Sequence, residues 1–122
     1  MVRTSRSKPA SGAKRTAPPL RLSERQALAI ARALSDPRRF GILREVAAAS
    51  DPVPCCALQA AATVSAATIS HHIKGLEAAG LIKVSRDGKF AMLTYRQATF
   101  DAYVDYMAAS LNPLESGSRR NT

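Results

Sequence analysis

Four side chains offer chemistry that their neighbours do not: the adjacent thiols of Cys55 and Cys56 in "PVPCC", and the adjacent imidazoles of His71 and His72 in "SHHIK". Soft thiolates suit soft ions such as trivalent arsenic or antimony, and thiols are also open to oxidation and persulfide chemistry. At a helix start the free backbone N–H groups favour negative charge, so lowered thiol pKa values are expected there. The chain has two cysteines, so a three-sulfur site needs a second copy of the chain or a non-protein ligand. A direct Cys55–Cys56 disulfide is disfavoured because it would close a strained ring in a helix start. The two histidines are also poorly placed to share an ion, because adjacent helical residues point about 100° apart. His71 lies two residues from Ile69, roughly opposite the core. His72 falls on the apolar side and reads as a packed residue hydrogen-bonded to backbone.

The elements that must position these groups are legible from caps and periodicity. Ser23 caps a helix through "ERQALAIARAL", with Leu28, Ala31 and Leu34 as its expected inner stripe. Asp36 and Pro37 start a second helix, whose stripe is Phe40, Leu43, Val46 and Ala47. "SDPVP" breaks the chain, and a short third helix, about Cys55 to Ala61, is anchored by Leu58. After a turn, Ser65 caps a fourth helix with Ile69, Ile73 and Leu76 inside, and Gly80 stops it. Helix, turn and capped helix is a helix-turn-helix. "LIKVSRDGKFAMLTY" then reads as a hairpin turning around Asp87-Gly88. A last helix, about Thr99 to Leu111, places Phe100, Tyr103, Val104, Met107 and Leu111 on one stripe, and Asn112-Pro113 ends it.

A reading helix needs an apolar face for the core and short polar side chains for a DNA groove. Ala67, Thr68, Ser70, His71 and Lys74 lie on the outer side of the fourth helix or its margins, and with the capping Ser65 they are its candidate DNA contacts. Short donors and acceptors suit base edges, and Lys74 suits phosphate. Arg86 and Lys89 flank the hairpin tip and would carry two cations toward the backbone or the minor groove.

The 122 residues hold one domain with tails, and a net charge of +9 favours a polyanionic partner. That charge is uneven. Arg3, Arg6, Lys8, Lys14, Arg15 and Arg21 all precede the first acidic residue, Glu24. From Leu22 to Leu114, ten basic side chains face eight acidic ones. Residues 1–21 therefore read as a disordered basic tail, 22–112 as the folded domain and 113–122 as a second disordered tail. No run is long enough for a membrane span, and no apolar signal segment opens the chain, so a cytoplasmic location is expected. Catalysis has no support, since there is no phosphate-binding glycine loop and no nucleophile elbow.

"ALSDPRRFGIL" (Ala33 to Leu43), "SAATISHHIKGLEAAGLI" (Ser65 to Ile82) and "RDGKF" (Arg86 to Phe90) together resemble the ArsR/SmtB family of winged-helix repressors. The resemblance covers about Ala27 to Leu111. It implies a mainly α, dimeric winged helix-turn-helix with a small β-hairpin. It also implies groove contacts from Ala67, Thr68, Ser70 and His71, and a homodimer interface on the first and last helices. Many sensing members carry a Cys-x-Cys-type motif at the start of the third helix. Cys56 matches its second cysteine, while Pro54 stands where the first would be. The family's last-helix metal site pairs carboxylates with histidines, whereas this chain offers Asp101 and Asp105 without a histidine. The expected function is an operator-binding repressor released by a small signal, with no cofactor fixed by the sequence. Trivalent arsenic, another thiophilic ion or thiol oxidation at Cys55 and Cys56 would be that signal. A constitutive or architectural DNA-binding protein without a sensor stays open beside it.

Overall fold

The computed structural model describes residues 20–112. The rest of the two expected tails, 1–19 and 113–122, lies outside the described residues. Five helices run in the order α1 (Glu24–Leu34), α2 (Pro37–Ala48), α3 (Cys55–Ala61), α4 (Ala66–Ala78) and α5 (Gln97–Leu111). Three strands complete the fold: β1 (Val53–Pro54), β2 (Ile82–Asp87) and β3 (Phe90–Tyr95). No helix among the described residues is long and apolar enough to cross a membrane.

The helix starts follow from local hydrogen bonding. Ser23 and Gln26 form a reciprocal capping box, each side chain accepting the other's backbone N–H. Asp36 accepts from Arg38 N–H at 2.9 Å and Arg39 N–H at 3.1 Å, with Pro37 in the first turn. At the end of α4, Gly80 takes a φ of +81°, which an L side chain resists. Its N–H donates to Glu77 O and that of Leu81 to Leu76 O, closing the helix by a Schellman motif.

The sheet is antiparallel in the order β1-β3-β2, so the hairpin gains a third strand where a plain chain break was expected. Val53 pairs with Leu93 and Pro54 with Met92. Two residues carry no alternation to read, and their pairing depends on the distant β3. The hairpin turn is also shifted by one residue: Asp87 pairs with Phe90, leaving Gly88 and Lys89 as the loop.

Ile30, Leu76, Leu81, Ile82 and Leu93 are the largest fully buried side chains, and the core joins them to Ile42, Leu43, Val46, Leu58, Ile69 and Ile73. Two expected stripes are rotated. In α1 the buried residues are Ala27, Ile30 and Ala33, while Leu28 is exposed. Arg25 and Arg32 share one side of α1 and Leu28 falls between Glu24 and Arg32, so the opposite side, with Ala27, Ile30 and the partly buried Leu34, is the one that turns inward. In α2, Ile42 joins Leu43 and Val46 inside, and Phe40 and Ala47 are exposed. Phe40 instead lies beneath the Arg44 guanidinium, 5.7 Å from its ring centroid. The last helix begins at Gln97, two residues before expectation, and of its stripe Phe100 and Tyr103 pack on the core while Val104 and Leu111 stay exposed.

Candidate nucleic-acid interface

The unit that holds the candidate reading surface is α3, the following turn and α4. Leu58 anchors α3, and Ile69, Ile73 and Leu76 anchor α4, each buried as expected. Ser65 caps α4, its Oγ accepting from Thr68 N–H at 3.1 Å and lying 3.0 Å from Thr68 Oγ1. Gln59 on α3 donates from Nε2 to Ser70 Oγ at 3.3 Å. The two helices are thus joined by a direct side-chain bond as well as by the core.

These bonds divide the sequence-derived set in two. Ala67, His71 and Lys74 are exposed on one face at helical spacing, with no side-chain hydrogen bond to another of the described residues. Ser65, Thr68 and Ser70 have hydroxyls already engaged in holding the motif together. A hydroxyl that accepts one bond can still donate another, so Thr68 and Ser70, half-buried at the margins, keep some capacity for a partner.

His72 is 7% exposed, which fits the packed role. The expected backbone bond is not found at Nδ1, which is buried without a hydrogen-bond partner. Within a regular helix the nearby carbonyls are already taken by backbone N–H groups, so the ring finds no free acceptor there. The His71 and His72 ring centroids stand 5.8 Å apart and tilted, as adjacent helical residues require.

On the wing, both cations are exposed, but each also touches the hairpin. Arg86 Nη2 donates to Lys89 O at 3.2 Å, stiffening the tip. Lys89 Nζ sits 5.7 Å from the Phe90 ring centroid. The spare donors of Arg86 and Lys89 face water.

One cation was missed by sequence reasoning. Arg38, in the first turn of α2, lines a shallow cleft with Asp36, Val64, Thr68 and His72, and so stands beside the start of the reading helix. The signal was present in "SDPRR", since a proline-led helix start places the next residues in its first turn. Its neighbour Arg39 instead lies against α4, where a Cβ at Gly75 would come 3.3 Å from Arg39 Cδ.

The thiols lie on α3, away from that cleft's lining. Cys56 is exposed and Cys55 half-buried, packed against the core. The lowered pKa expected for both is contradicted at Cys55, whose thiol is pushed up by burial and then by the neighbouring Cys56. Desolvation outweighs the few free N–H groups of a seven-residue helix. Among the described residues no three His, Cys, Asp or Glu side chains assemble as a metal group. On α5 the Asp101 carboxyl is raised by burial and by the like charge of Asp105.

Comparison with known proteins places this geometry. Residues 34–85 match a family model described as a helix-turn-helix domain. An ArsR-like transcriptional regulator from Rhodococcus sp. RHA1 superposes with a TM-score of 0.63 at 21% identity, covering 78% of this chain and 91% of its own. A second ArsR-family regulator gives 0.66 at 23% identity, over 80% and 98% of the two chains. The homodimeric winged helix-turn-helix DNA-binding domain of a possible ArsR-family regulator from Mycobacterium bovis gives 0.58 at 20% identity, over 75% and 84%. No curated protein matches the chain in sequence. Residues 34–85 thus form a helix-turn-helix domain, and the chain has the winged helix-turn-helix fold of the ArsR-family transcriptional regulators it resembles.

Proposed function

We propose that this protein is a homodimeric, sequence-specific transcriptional repressor released by a small signal. The observation that carries the reading is the exposed row of Ala67, His71 and Lys74 on a helix whose opposite face is locked into the core. Ala67, Thr68, Ser70 and His71 approach base edges, while Lys74, Arg86, Lys89 and Arg38 neutralise phosphates. Ser65 holds the start of that helix. A second copy docks through α1 and α5, where Leu28, Val104 and Leu111 are exposed. The basic residues 1–21 add non-specific attraction to the duplex.

Cys55 and Cys56 are the proposed point of release. Trivalent arsenic binds first at the exposed Cys56 and then at the half-buried Cys55; in the oxidative alternative a peroxide oxidises the exposed Cys56 thiol to a sulfenic acid, itself being reduced to water or alcohol. Because Cys55 packs on the core and α3 is bonded to Ser70 through Gln59, a shift there reaches the reading helix. Cooperative use of two half-sites amplifies a small change in geometry.

Fluorescence anisotropy on DNA from the protein's own promoter region tests this. The reduced protein should prefer its site over random duplex by roughly 10³ or more. Trivalent arsenic should weaken binding by the wild type and leave a Cys55→Ser, Cys56→Ser double variant unaffected. Binding without preference would sink the operator-specific reading. Equal binding with and without arsenic would remove the metalloid from it.

A further inference from the structure

A groove of about 260 Å³ runs between α2, α3 and the turn before α4. Its apolar lining includes Ile42, Leu58, Val64 and Ile69, and Arg38 and Glu45 mark its ends on α2. Gly41 lies between those two charges on the same face of α2. A Cβ built there would meet no atom within 4 Å. Neither crowding nor a positive φ requires glycine at this position. Glycine inside a helix is less favourable than alanine. Gly41 lines the groove with no side chain of its own, and the space at its Cα is open to a larger one.

We propose that this groove is a binding site for a small organic anion: an aromatic or branched apolar body carrying one carboxylate. The volume exceeds the roughly 150 Å³ cavity that accepts benzene, and it approaches the lower end of natural ligand pockets. The apolar lining holds the body. Arg38, which forms no ion pair among the described residues, takes the carboxylate in a bidentate bond. At the far end Glu45, also without an ion pair among the described residues, disfavours a second negative charge and accepts from a hydroxyl if the body has one.

The site is also placed to regulate, and this step rests on the repressor reading above. Arg38 and Val64 line both this groove and the cleft that contains Thr68. A bound carboxylate would compete with a DNA phosphate for the same guanidinium. The apolar body would at the same time brace the turn that sets the start of α4. Release by this route needs no thiol.

The test separates the two readings. Amide chemical shifts of the full-length protein are followed while benzoate, benzyl alcohol and benzylamine are added in turn. Benzoate should perturb Gly41, Leu58, Thr63 and Val64, with a dissociation constant on the order of 1 mM for so small a probe. Benzyl alcohol and benzylamine should bind at least about tenfold more weakly, and Arg38→Gln should remove that preference. Gly41→Leu should abolish benzoate binding while melting no lower than wild type and binding operator DNA as tightly. Gly41→Ala, the milder filling, should weaken benzoate in part, so a misfolded leucine variant would not decide the matter.

Absent shifts, shifts elsewhere, or binding indifferent to Gly41→Ala would overturn the site. Preference for benzylamine, lost in Glu45→Gln, would overturn its assignment to anions. If benzoate binds but leaves operator affinity unchanged, the regulatory step fails and the site stands. If no variant or wild type binds an operator at all, the repressor reading fails on its own.

Discussion

Helices α4 and α5 are close in length and both carry large apolar residues, but the chain by itself buries only those of α4. On α4, Ile69, His72, Ile73 and Leu76 are buried, and the outer face carries small or charged groups. On α5, Thr99 is the one buried residue, Phe100 and Tyr103 are partly covered, and Val104 and Leu111 remain 45% and 74% exposed. The contrast is informative because burial is the main favourable term for both helices. A helix whose apolar face is satisfied within the chain is free to offer its other face to a different molecule. One whose apolar face is left open fits a second copy of the chain.

The largest test of that contrast sets one buried position against one exposed position. Ile73→Asp places a charge in the core and should cost about 4 kcal/mol or more, enough to unfold a small domain in a thermal melt followed by circular dichroism. Val104→Asp should keep a cooperative thermal melt, yet shift the proposed dimer to monomer in sedimentation. If both variants unfold alike, or if Val104→Asp stays dimeric, the division between the helices is wrong.

Smaller effects sharpen the account of α4. Lys74→Ala should weaken DNA binding by a similar factor on all sequences and lower the salt slope by about 1, whereas His71→Ala should chiefly lose discrimination between sites. A Lys74 variant that changed base preference would move that residue from phosphate to base readout. Ser65→Ala removes the N-cap and should cost about 1 kcal/mol in denaturant unfolding, without changing the oligomer.

The smallest expected effect is pH-dependent and lies on α2, which supports α4. The Asp36 carboxyl is held below its ordinary value, foremost by the Arg39 N–H and then by that of Arg38. A depressed carboxylate contributes stability that is complete above its unfolded value and is lost as pH falls through the folded one. Asp36→Asn keeps a capping oxygen but does not titrate. Its melting temperature should therefore fall less than that of wild type between neutral and acid pH. Superposable acid limbs would show that the cap carries no such linkage.

What the sequence by itself determined is mostly local. Ser23, Asp36 and Ser65 as caps, Gly80 as a stop, and the outer row on α4 all follow from bonds or spacings within a few residues. The helix-turn-helix and the hairpin were legible for the same reason, while the winged class came from the family resemblance of Ala33 to Leu43, Ser65 to Ile82 and Arg86 to Phe90. Tertiary structure decided what depended on a distant neighbour: the pairing of Val53 with Leu93 and the burial that raises the Cys55 thiol. It also decided that Thr68 and Ser70 share their hydroxyls with the motif, and that Gly41 opens onto a groove. Caps and periodicity are properties of one segment, whereas desolvation and empty space exist only between segments once they have packed.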